Sequence, residues 1–160
     1  MAYQWLPPSK KHQPLWPGEC VEVRELSNGL RLEIWDYSRR LAGDRWLVGL
    51  LVQIPIHPDP RFFSSPEFYE RFLREEEVFY YRYRKERHFV DEKERETVFE
   101  TLKENFLRAA LDYLSHPEFA ERFLRAEVPL YERRVQWEEE VRRKEEEAEK
   151  MEELWRDRPI

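Results

Sequence analysis

Few residues in this chain have the types and spacing that chemistry requires. The four histidines are His12, His57, His88 and His116, and no two stand at helical i+3 or i+4 spacing or at zinc-finger spacing. His88-x-x-Asp91 and His57-x-Asp59 put an acid near an imidazole, but a chain with 34 acids makes such neighbours by chance. Cys20 is the lone thiol and has no base beside it in sequence, so it reads as a small apolar residue. With only Gly18, Gly29, Gly43 and Gly49, no glycine-rich loop is available to cradle a phosphate, and no nucleophile elbow or dinucleotide fingerprint occurs. The sequence therefore implies no metal, no cofactor and no catalytic residues.

Two constellations remain. Asp36, Asp44 and Arg45, with Trp35, Tyr37 and Trp46 nearby, are the residues an enzyme of this chain would use if they met in one cleft, because acid–base work needs carboxylates within reach of a substrate. The plainer reading makes Asp44 a turn residue and Arg45 a surface ion pair. The second constellation is Tyr80 to His88 (YYRYRKERH), the one basic stretch interleaved with aromatics. Its candidate binding residues are Tyr81, Arg82, Tyr83, Arg84 and His88, since rings beside cations suit a single-stranded nucleic acid or an acidic peptide. The plainer reading buries the rings in the core and pairs the arginines with the abundant glutamates.

The elements that must position these residues begin with a sheet. Val21 and Val23 alternate with Glu22 and Arg24, which predicts a strand with one wet face. Asn28-Gly29 predicts a tight hairpin with positive φ at both residues. The return strand places Leu30, Leu32 and Ile34 on one face and Arg31, Glu33, Trp35 and Tyr37 on the other. Ser38 to Asp44 reads as a connection. Arg45 to Ile56 is apolar on both faces, the mark of a central strand, although Pro55 argues against long pairing at its end. As the third strand of a meander it would be an exposed edge, which a further strand over Val78–Lys85 would cover; the alternative reading is one continuous helix from Pro66 to His88.

The helices come next. Ser65-Pro66-Glu67 has the order of a helix start, and Asp91 with Glu94 reads as a capping box for a helix ending near Leu114. Its stripe of Phe99, Leu102, Phe106, Ala109 and Tyr113 should cover the sheet. Residues 64–76 and 115–127 share ten of 13 positions, which reflects either one local recipe used twice or two equivalent helices. Pro129 should stop or restart a helix that then runs to about Trp155. There Leu130, Trp137, Val141, Ala148, Met151 and Trp155 keep heptad-like spacing, interrupted by Arg134 and Lys144. The near half, around Trp137 and Val141, should pack on the parent domain, and the far half, around Met151 and Trp155, should reach a partner.

Composition sets the remaining bounds. Charged residues make up 39% of 160, with a formal charge of −6, which disfavours a general nucleic-acid binder. One cysteine fits a reducing, cytoplasmic setting, and no run is apolar enough for a signal peptide or membrane span. The predicted fold is α+β: a small antiparallel meander of three to four strands covered by C-terminal helices, ending in a long charged helix. The expected organisation is a Pro/Trp-rich arm over 1–18, a domain over 19–128 and an extending helix over 129–160. The expected function is a non-enzymatic interaction module. Trp137, Val141, Met151 and Trp155 would contact a second copy or another protein, with no role for membranes.

Overall fold

The computed structural model describes residues 18–157, so the expected arm over 1–18 falls almost wholly outside the described residues. Strand β4 (Arg45–Ile56) is the centre of the sheet, and nearly every residue from Leu47 on is buried. An apolar strand of this length needs partners on both edges and cover on both faces. On one edge it pairs antiparallel with β2 (Arg31–Asp36) through Leu50–Gln53 and with the short β3 (Arg39–Ala42) through Arg45–Leu47. On the other it pairs with the whole of β5 (Phe79–Asp91). Strand β1 (Glu19–Glu25) pairs with β2 and completes a five-stranded antiparallel sheet.

The expected extra strand is therefore present as β5, and it runs past Lys85 to Asp91. The segment read as a bare connection holds β3, turned back onto β4 by Gly43-Asp44, where only Gly43 takes positive φ (55°). Pro55 stays on the ladder opposite Tyr80, because it stands one residue from the strand end.

Three helices lie on one face of the sheet: α1 (Pro66–Glu75), α2 (Arg95–Leu114) and α3 (Phe119–Arg156). Val48, Leu50, Val52, Ile54 and Ile56 meet Phe72, Phe99, Leu102, Phe106, Leu114, Phe119 and Val128 in one core. Burial of Phe99, Leu102 and Phe106 matches the predicted stripe, whereas Ala109 and Tyr113 at its far end are exposed. Ser65 caps α1 as its sequence implies, accepting from Phe68 N, with Pro66 at the first position. Asp91 does not cap α2. It ends β5 and accepts from Lys93 N, two residues on, so the helix starts only at Arg95.

The first hairpin differs from the Asn-Gly expectation. Gly29 N donates to Leu26 O and Leu26 N to Leu30 O, which makes a three-residue loop with positive φ only at Gly29 (86°). Asn28 keeps an ordinary backbone because its side chain is engaged elsewhere. Its Nδ2 donates to Leu114 O and His116 O, while Ser27 Oγ donates to Ser115 O. The turn thereby caps the carbonyl end of α2, whose last C=O groups have no partner within the helix. Strand β1 is also inverted relative to its pattern. A bulge at Val21 shifts the register, so Glu22 and Arg24 oppose Ile34 and Leu32 and lie half-buried, while Val21 and Val23 are exposed. Lys103 on α2 reaches Glu22 at 3.6 Å and supplies the charge that makes this tolerable.

The two similar segments do not take equivalent places. Phe72 is the buried residue of α1, whereas Phe119 and Leu124, the counterparts of Phe68 and Leu73, are buried in α3. At the capping position His116 stands for Ser65, and α3 begins two residues later, at Phe119. Pro129 neither stops nor restarts α3, which passes through it. Burial of Val128 and Tyr131 on either side holds the helix against the domain despite the missing backbone donor.

Candidate interaction surface

The basic aromatic strand divides its residues between two faces. Tyr81 and Tyr83 point to the helices: Tyr81 meets Phe119 edge-on at 5.6 Å and Tyr83 stacks on Phe106 at 4.4 Å. These two rings complete the core and are turned away from Arg82. Arg82 lies on the opposite face. Its Nε donates to Gln53 Oε1 at 3.0 Å and its guanidinium sits 4.8 Å over the Tyr80 ring. Burial lowers its pKa, countered in part by Tyr80.

This face, which none of the described helices covers, carries a polar network that the sequence did not reveal. Glu33 Oε1 accepts from Trp35 Nε1 (3.3 Å) and from Gln53 Nε2 (3.2 Å), and Gln53 in turn receives Arg82. Glu33 and Gln53 are both buried. Their only signal in the sequence is a Glu and a Gln standing inside otherwise apolar strands. Beside them Tyr37 lies flat over Gly49, where a Cβ would come 2.4 Å from the ring, and its hydroxyl donates to Glu86 Oε1 at 2.9 Å. Burial and the Glu86 hydrogen bond push the Tyr37 hydroxyl far above the usual phenol range. His88 Nε2 stands 3.3 Å from Glu86 Oε2. Cys20, half-buried against Trp35, Tyr37, Leu47 and Leu51, has its thiol pushed up by burial and by Glu33. Such an arrangement joins strands and orders side chains, with every group tied to a neighbour.

Asp36, Asp44 and Arg45 do not converge. Asp36 opposes Leu50, five residues along β4 from Arg45, and its Oδ1 accepts from Ser38 N. Arg45 lies 3.8 Å from Asp44 and 3.9 Å from Asp91 at the other end of the strand. Asp36 lines a shallow cleft with Val21, Glu22, Phe99 and Lys103 instead.

Helix α3 carries several exposed large apolar side chains in its C-terminal half. Leu124, Val128, Tyr131 and Val135 form its buried stripe. The next positions on that stripe, Glu138, Arg142, Glu145 and Glu149, are all charged, so the packed face ends at Val135. Trp137 (65% exposed), Met151 (54%), Leu154 (67%) and Trp155 (63%) lie elsewhere. At about 100° per residue, Trp137, Val141, Met151 and Trp155 centre some 140° round the helix from the buried stripe. Trp137 consequently does not pack on the parent domain as its position in the chain implied, and Val141 is only half-buried.

No helix of the described residues is long and apolar enough to cross a membrane. No protein family matches this chain, and neither a curated protein nor a solved structure gives a match.

Proposed function

We propose that this protein is a non-enzymatic interaction module that receives an amphipathic helix of a partner protein along the exposed stripe of α3. The observation that carries this is the exposure of Trp137, Met151, Leu154 and Trp155 on the part of α3 beyond Val135, where most other residues are charged. Two exposed tryptophans present a large apolar area with a polar handle, the side chains most often used at contact sites. Helix-in-groove and helix-on-helix recognition both use such a spacing. A cytoplasmic setting accompanies this reading, supported by the single, half-buried Cys20.

Site-specific photocrosslinking in cells tests the reading. A photoreactive residue at Val141 or Met151 should give a defined adduct with another polypeptide, and one at Arg142 or Glu149, on the charged side, should not. Equal crosslinking from both sides, or none from either, would refute the interaction module.

A further inference from the structure

From the charges that flank the stripe, we infer that the partner helix is basic and is not a second copy of this chain; this rests on the interaction reading above. With Trp137, Lys144 and Met151 at d positions and Val141, Ala148 and Trp155 at a positions, the flanking e and g positions follow from helical geometry. They are Glu138, Glu140, Glu145, Glu147, Glu152 and Leu154. Five of the six are glutamates, on both sides of the apolar seam. Apart from Lys144 in the seam itself, the cations of this segment, Arg142, Arg143, Lys150 and Arg156, fall on the outer positions.

Glu138 is close to Arg134 (4.0 Å) and Glu140 to Lys144 (3.6 Å). Among the described residues, Glu145, Glu147 and Glu152 make no ion pair. Pairing two copies in parallel sets g against e of the partner, and pairing them antiparallel sets e against e and g against g. Either way, glutamate faces glutamate along the seam. A partner with an apolar stripe flanked by lysine or arginine turns each of those repulsions into an attraction, and such flanking charges decide which helices pair. Lys144 interrupts the seam and fixes the register, since an ammonium there needs an acceptor or a gap opposite it.

Two synthetic helical peptides of three heptads, both with leucine at a and d, test this on the full-length chain. One carries lysine at every e and g position, and the other carries glutamate. Fluorescence anisotropy at physiological salt should show the lysine peptide binding at least about tenfold tighter, as expected from several flanking charge pairs acting together. Trp137→Ala with Trp155→Ala should abolish that binding, and Glu145→Lys, Glu147→Lys and Glu152→Lys should reverse the preference. Sedimentation should find the full chain as a single copy at micromolar concentration.

If the glutamate peptide binds equally well, the charge inference fails while the interaction surface stands. Lysine-peptide binding that survives the tryptophan substitutions is attraction to an acidic surface only, and also overturns the inference. Self-association lost in the tryptophan variant would make a second copy the occupant. Binding of neither peptide, by a chain that is a single copy, would remove the interaction reading itself.

Discussion

Phe89 is, with Glu77, one of two non-glycine residues among those described with a left-handed backbone, at φ of 56°, and three quarters of its surface is exposed. Left-handed backbone costs an L-residue about 1–2 kcal/mol, and an exposed ring recovers little by burial. The strain arises where β5 slips by one residue against β4, between Arg87 and Val90, forming a bulge whose usual occupant is glycine. Phe89→Gly should therefore stabilise the fold by about 0.5–1 kcal/mol in a denaturant titration, the glycine's extra unfolded entropy offsetting the rest. A loss of stability would mean the ring makes a contact that matters. Gly49 is the opposite case. The Tyr37 ring occupies the space of a Cβ there, so Gly49→Ala should cost about 1–3 kcal/mol by overpacking.

Tyr131 joins residue chemistry to pH. Its buried hydroxyl has no hydrogen-bond partner among the described residues, and its pKa is raised to about 12 by burial first and then by the charge of Glu75. The unfolded phenol ionises near pH 10. The stability from keeping Tyr131 neutral is thus complete below about pH 10 and is lost as pH rises towards about 12. Tyr131→Phe should blunt the alkaline loss and leave stability at pH 7 unchanged or higher, because an unsatisfied buried hydroxyl is itself unfavourable. Thermal melts of both proteins between pH 7 and 11 would show it.

Among the elements, the β1–β2 turn and α3 depend on contacts far along the chain. Asn28 donates to two carbonyls at the end of α2 and accepts from Leu30 N, so one side chain shapes a hairpin and caps a helix. Asn28→Ala should cost about 1–2 kcal/mol, the range for losing a helix cap, and guanidinium unfolding would measure it. Gly29→Ala should be costly for a different reason, the positive φ of its backbone. In α3, Pro129 removes the donor that Arg125 O would use, and its own surface is exposed. Pro129→Ala should stabilise the helix by up to about 3 kcal/mol. No gain would mean the neighbouring turn already compensates for the missing bond.

Across the whole molecule the helices and the sheet share one core, and α3 leaves that core after Val135. Deleting residues 145–160 should leave the melting temperature almost unchanged, because no described residue of that stretch is buried. A drop of many degrees would show that the far helix supports the domain. The α+β class, the central strand and the stripe of Phe99, Leu102 and Phe106 were legible in the sequence, whereas Val78–Lys85 read almost equally as strand or helix until pairing with β4 decided it. Period-2 and period-3.6 patterns report directly which residues an element must bury. The inverted face of β1, the strand hidden in Ser38–Asp44, and the network of Glu33, Gln53 and Arg82 were not legible. A bulge and a cross-strand hydrogen bond depend on which strand lies alongside, and no local pattern carries that. The same holds for Trp137. Heptad spacing marked it as apolar and in phase with Trp155, but only the packing of Leu124, Val128, Tyr131 and Val135 against the core decided that its side of α3 faces outwards.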